Sequence, residues 1–146
     1  MKLQKQTGVA AVEFALLLPI LLLLALGVVE FGRLIYQYNN LTKTVRNSAR
    51  FLAAKSPAIV GYANFEEQAL CLAVYANTTC MGKPVADDLS KNHVIIAYST
   101  INSMSVITVS IKNYKAMFIE SYIPTILGLG KDIGFDSISV SMRQVS

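Results

Sequence analysis

Hydrophobic positions along this chain follow three different rhythms. From Phe14 to Val29 no residue is charged, and only Pro19 and Gly27 break a run of Leu, Ala, Ile and Val. Beyond it, Leu34, Tyr38, Leu41, Val45, Ala49 and Leu52 recur at spacings of three and four, the stripe of an amphipathic helix. No proline interrupts until Pro57. The pattern predicts one helix from about Val9 to Ala54, roughly 70 Å long at 1.5 Å per residue. Its outer half is expected to be a spine on which the rest packs. The solvent-facing Lys43, Arg46 and Arg50 read as a solvated flank.

After a linker at 57–62, Phe65 to Asn77 reads as a second helix. Phe65, Ala69, Leu72 and Ala76 lie on one face. Asn64 is placed to cap it, with Glu66 and Glu67 in the first turn, where the helix dipole favours acids. Gly82, Pro84 and Asp87-Asp88 mark Thr78 to Asp88 as loop. The last third then alternates with period two, the rhythm of half-buried strands. One candidate strand sets Val94, Ile96 and Tyr98 against Ile95, Ala97 and Ser99. A second sets apolar Ile107, Val109 and Ile111 against Val106, Thr108 and Ser110, after a turn at Asn102-Ser103. A third, from Asp136 to Val145, sets Ile138, Val140 and Met142 against Ser137, Ser139, Ser141 and Arg143. The apolar segment Tyr114 to Gly130 reads as a short packed helix, a long loop or a patch that meets another subunit, with core packing favoured. The expected fold class is α+β: a long N-terminal membrane-spanning helix continuing as a spine, a short second helix, and a small antiparallel sheet of about three strands.

Composition narrows the function. Of 146 residues, 53% are hydrophobic and 15% charged, against about 25% charged in a typical soluble domain. Residues 1–55 carry a net charge of +5 and residues 56–146 a net charge of −1. No basic cluster forms in the last ninety residues, so a nucleic-acid partner is not expected. Catalytic signatures are equally lacking: there is no G-x-S-x-G, no H-E-x-x-H, no phosphate-cradling glycine motif and no calcium loop. His93 is the one histidine and reads as structural. Cys71 and Cys80 are the only cysteines. An even count in an exported domain points to a disulfide. Two thiols without a histidine at motif spacing are poor evidence for zinc. Neither metal nor cofactor is expected, and no enzyme activity.

The first thirty residues admit three readings. A secretory signal would have Lys2 and Lys5 as its basic region and a cut after Gly27. A plain anchor would use Val9 to Val29, enough to cross a hydrocarbon layer of about 30 Å. Neither explains Glu13, a carboxylate inside the apolar run that costs several kcal/mol unless paired, protonated or near the interface. A third reading does. A cut after Gly8 makes Val9 the new N-terminus, and Glu13 can then pair with the α-amino group of a neighbouring subunit and set the register of packed helices. Pro19 removes one helical hydrogen bond and would kink the rod, either incidentally or to help subunits pack. Glu30 and Arg33, three apart on one helix face, mark the membrane exit, followed by Tyr36 and Tyr38 of an interfacial belt.

Residues Gly8-Val9-Ala10-Ala11-Val12-Glu13-Phe14-Ala15-Leu16 resemble the processing site of Flp/Tad-class type IV prepilins. The following Leu17-Leu18-Pro19 through Gly27-Val28-Val29-Glu30-Phe31-Gly32-Arg33 resembles the TadE-like family, pseudopilins or minor pilins of the tight-adherence pilus system. The likeness is dense over residues 8–50 and weak near Met142-Arg143.

The resemblance implies residues 1–8 as a leader peptide removed by an aspartic prepilin peptidase, with this chain as its substrate. It gives Glu13 a role in docking or peptidase recognition. It implies residues 9–55 as the long helix, about 9–32 of it transmembrane and 33–55 extracytoplasmic, and 56–146 as an extracytoplasmic α+β domain. Partners would be the lipid bilayer, other pilins or pseudopilins, and the inner-membrane assembly platform. The expected location is the bacterial cytoplasmic membrane, single-pass, N-terminus inside, with incorporation into a pilus. Charge runs against this orientation: five basic residues lie from Arg33 to Lys55 and two in the leader, which the positive-inside rule would place the other way. Cysteine usage and the leader-like segment set the expectation. Two other functions remain open at this point: a membrane-anchored extracytoplasmic binding or adaptor module, which needs no cut after Gly8, and a small secreted enzyme released after Gly27.

Overall fold

A computed structural model describes residues 7–56, 60–117, 132–134 and 136–144. Contacts divide the chain into two compact units after Ile35. The architecture is α+β, as the hydrophobic rhythm predicts. Helix α1 runs from Thr7 to Ala53 and contains Pro19. Its bounds match the expected helix to within two residues. Helix α2 spans Tyr62–Tyr75. A short 3-10 turn at Lys91–His93 leads into β1, Val94–Ile101, followed by β2, Met104–Ile111; β3, Lys115–Met117; β4, Asp132–Gly134; and β5, Ile138–Arg143.

In the first unit, every residue from Gly8 to Val29 is exposed. The second unit has a true core. Leu41, Val45, Ala49 and Leu52 on α1 are fully buried, as are Ala69, Ala73 and Val74 on α2, and Ile107 and Val109 on β2. This is the three-four stripe of α1, except that Tyr38, expected within it, is exposed, and the alternate face of β2. Ser48, also fully buried, donates its hydroxyl to the Ala69 carbonyl at 2.7 Å. Phe51 and Phe65 meet edge to face, 6.3 Å between centroids.

The sheet has the order β1-β2-β5, all antiparallel. Register aligns the apolar positions of all three strands into rows: Val94, Ile111, Ile138; then Ile96, Val109, Val140; then Tyr98, Ile107, Met142. The opposite face is hydroxyl-rich, with Thr108 and Ser141 hydroxyls 2.8 Å apart. Asn102 and Ser103 both adopt positive φ, +50° and +62°. That is the two-residue turn whose twist matches the strands it joins.

Three details differ from the sequence reading. Helix α2 starts at Tyr62, not Phe65, and its N-cap is Gly61 at φ +86°, with the Asn64 N–H bonded to the Gly61 carbonyl at 2.9 Å. Glycine adopts that left-handed geometry at no Cβ cost, so it displaces Asn64 as the cap. The helix ends at Tyr75, with Ala76 left-handed and exposed, and its buried residues are Ala69, Cys71, Ala73 and Val74, not Leu72 and Ala76. The disulfide and the sheet together, not one neighbour, set which side faces inward. Finally, β3 and β4 pair as a separate two-stranded ribbon that alternation over three residues is too short to announce. Most of the apolar segment expected at 114–130 lies outside the described residues, except that Tyr114 is buried and 115–117 form β3.

Candidate anchoring and assembly segment

The Gly8–Val9 peptide bond lies in the first turn of α1. Among the described residues, a Cβ on Gly8 would meet nothing within 4 Å. Glu13 is exposed one turn further on. One turn either side of it on the helix stand Val9, Ala10, Leu16 and Leu17, all uncovered. From Val9 to Val29, fourteen large apolar side chains are each 38 to 74% exposed. Half-burying such a side chain is worth about 1 kcal/mol or more, so the uncovered surface represents on the order of 15–20 kcal/mol. That exceeds the whole stability of an ordinary domain, about 5–15 kcal/mol. Water is therefore the wrong solvent for this stretch. By length and composition α1 is long and apolar enough to cross a membrane, which suits it to membrane anchoring.

At the end of the stretch, Glu30 accepts hydrogen bonds from Arg33, at 2.6 Å from Nη2 and 3.2 Å from Nε. The i, i+3 spacing expected from sequence thus closes into an ion pair. Tyr36 and Tyr38 follow, both substantially exposed. Pro19 lies within the continuous helix. None of Gly8, Glu13, Pro19 and Glu30 is brought beside another by folding; they are strung along one helix in sequence order.

Residues 8–50 match the model of the TadE-like proteins. The matched segment begins at Gly8 and covers the uncovered apolar stretch, the Glu30–Arg33 pair and the first buried turns of α1. No curated protein and no solved structure matches the chain.

The other sequence-singled residues lie in the second unit. Cys71 and Cys80 form a disulfide, with Cα atoms 4.7 Å apart. Cys71 is 2% exposed on α2. Cys80 sits in a loop organised by Asn77, whose Nδ2 donates to the carbonyls of Tyr75 and Met81 and whose Oδ1 accepts from the Thr79 and Met81 N–H groups. The Glu67 carboxylate lies within 4.8 Å of both sulfurs and pairs with Lys91. With the sulfurs bonded to each other, neither is a free thiolate that could ligate a metal ion. Sequence reading treats Glu67 only as a first-turn acid; the missed signal is its i, i+4 spacing to Cys71. His93 has a structural place. Its Nδ1 accepts from the Ser90 N–H at 3.1 Å, and its ring meets Tyr114 edge to face at 6.0 Å.

A polar network closes the second unit. Gln144 donates through Nε2 to the Lys55 carbonyl at 3.0 Å and the Tyr62 hydroxyl at 2.7 Å. Tyr98 donates to Glu66. Burial, the Glu66 carboxylate and Tyr62 all hold the Tyr98 phenol well above the usual range. The network pins the residue after β5 to the ends of both helices. An open hollow of about 310 Å³ beside it is lined by Tyr98, Ser99, Thr100, Ser105, Val106 and Gln144.

Proposed function

We propose that this chain is a minor pilin or pseudopilin of a Tad-type pilus system, cleaved after Gly8 by a prepilin peptidase and assembled by lateral packing of its N-terminal helix. The observation that carries the reading is one coincidence. The TadE-like match over residues 8–50 falls on an apolar surface that the chain itself leaves uncovered from Gly8 to Val29. In the bilayer, lipid covers that surface. In an assembly, neighbouring copies of similar helices cover it.

In this scheme the leader, with Lys2 and Lys5, holds the uncleaved chain at the cytoplasmic face. Cleavage removes those charges and creates an α-amino group at Val9. Glu13 of one subunit pairs with that group on the next, in surroundings where a misplaced charge is costly. Glu30 and Arg33 mark the boundary of the hydrocarbon, and the domain from residue 56 onward lies outside the cytoplasm. Its partners are the peptidase, other pilins or pseudopilins and the inner-membrane assembly platform, and its work is structural, in pilus assembly and surface adhesion.

The decisive measurement is the N-terminus of the protein from piliated cells, read by mass spectrometry alongside two variants. The wild type begins at Val9. Gly8→Val keeps Met1 and accumulates in the membrane; no described residue lies within 4 Å of where its Cβ would stand, so no steric clash with them accounts for the outcome. Glu13→Ala inserts but fails to assemble. A wild type that keeps Met1, with normal piliation by both variants, refutes the scheme and leaves an anchored binding module. A start beyond Gly27 leaves a secreted protein.

A further inference from the structure

We infer that the Cys71–Cys80 bond is formed by a dithiol–disulfide oxidoreductase that engages this chain at Cys80, with Glu67 receiving the proton of Cys71. Three observations converge. The two sulfurs differ in access: Cys71 is 2% exposed inside α2, whereas Cys80 is partly exposed on a loop. That loop is held by the Asn77 amide through both its oxygen and its nitrogen, so Cys80 is presented at a fixed place. And the Glu67 carboxylate, one helical turn before Cys71, lies within 4.8 Å of both sulfurs, with Lys91 paired to it.

The sequence of bonds follows from access. A disulfide can be attacked only by a thiolate that can reach it. In the folded, reduced chain, Cys80 loses its proton to solvent and attacks the oxidant's disulfide. One Cys80–oxidant bond forms, the oxidant's internal S–S bond breaks, and its released thiolate takes up a proton. Cys71 cannot reach the oxidant, but it can reach Cys80. Glu67 accepts the Cys71 proton, the Cys71 thiolate attacks the Cys80 sulfur, and the oxidant's remaining sulfur departs as a thiolate that Glu67 reprotonates. Two electrons and two protons pass from the two cysteines to the oxidant, which leaves as a dithiol. Lys91 steadies the carboxylate between transfers.

The partner is thus identified by chemistry: a protein with a reactive C-x-x-C disulfide, open enough to accept a loop. An oxidising compartment suits it, as the proposed extracytoplasmic location provides. The test runs on purified protein, so its failure leaves that location untouched.

Full-length chain in detergent is reduced, desalted and mixed with an oxidised C-x-x-C protein of the thioredoxin fold. Reactions are quenched with acid and read by mass spectrometry. Cys71→Ser should form a mixed disulfide with the probe through Cys80, caught by the acid quench before the probe's second cysteine reverses it. Cys80→Ser should react at least about tenfold more slowly through Cys71 in native buffer, and equally fast in concentrated urea, where burial no longer protects. With both cysteines present, Glu67→Gln should slow resolution of the Cys80 mixed disulfide by about tenfold or more, with the rate recovered at high pH and partly by Glu67→Asp. Equal native reactivity of the two single-cysteine variants overturns the assignment of Cys80. Unchanged resolution in Glu67→Gln overturns the role of Glu67.

Discussion

Breaking the Cys71–Cys80 link tests how much of the second unit's stability rests on one covalent bond. The bond closes a loop of nine residues' separation. Chain entropy then assigns it about 2.6 kcal/mol through restriction of the unfolded state. Replacing the buried Cys71 by alanine removes a sulfur from a packed helix face and adds about 1 kcal/mol. Two perturbations separate these contributions. Reduction of the wild type removes the cross-link alone, and the double variant Cys71→Ala, Cys80→Ser removes both. For a unit of this size, 1 kcal/mol moves the midpoint by about 4 °C. The expected losses are therefore about 10 °C on reduction and about 14 °C in the double variant. Near-ultraviolet circular dichroism of the full chain in detergent is the suitable assay. All seven tyrosines lie at or beyond Tyr36, whereas Phe14 and Phe31 precede it, so the tyrosine band, read apart from the shorter-wavelength phenylalanine signal, reports the unit from residue 36 onward. A reduced wild type that melts within about 2 °C of the oxidised form would refute the reasoning. It would mean that the Asn77 loop already restrains the segment.

Other substitutions probe other supports. Ser48→Ala should cost only about 1 kcal/mol, because the Ala69 carbonyl keeps its own helical bond, whereas Ser48→Val should cost about 2–3 kcal/mol by overpacking a fully buried site against Ala69; urea titration distinguishes them, and equal costs would contradict tight packing around Ser48. Gly61→Ala should lose about 1 kcal/mol, since its φ of +86° strains any residue with a Cβ; the same titration reads it. Tyr98 gives a pH dependence. Its proton is held more tightly in the folded state than at the ordinary value of 10.0, so the stabilisation is complete below that pH and declines as the medium rises above it. Melting midpoints from pH 9 to 11 should fall in the wild type and fall less steeply in Tyr98→Phe; parallel curves would remove Tyr98 from the account.

Much of this molecule can be read from the order of its residues. The charge-free run from Phe14 to Val29 fixes an uncovered helix, because burial of apolar surface dominates every other local preference there. The three-four stripe from Leu41 to Leu52 and the alternation of Ile107, Val109 and Ile111 fix which faces go inside, because each period belongs to one backbone geometry. The Asn102-Ser103 turn follows from Asn's tolerance of the left-handed region. The spacing of Gly8, Glu13, Pro19, Glu30 and Arg33 also needs no folding to be seen, since all five lie on one continuous helix.

Only the tertiary structure decided the rest. The inward face of α2 turns on where Cys80 and the sheet stand, which no period within fourteen residues encodes. The β3–β4 ribbon pairs segments more than a dozen residues apart. The neighbourhood of Glu67, Cys71, Cys80 and Lys91, and the ties of Gln144 to Lys55 and Tyr62, join residues distant along the chain. Local pattern records how a segment meets solvent, but partners that meet across long loops are selected by the packing of the whole unit, and that packing exists only once the chain has closed on itself.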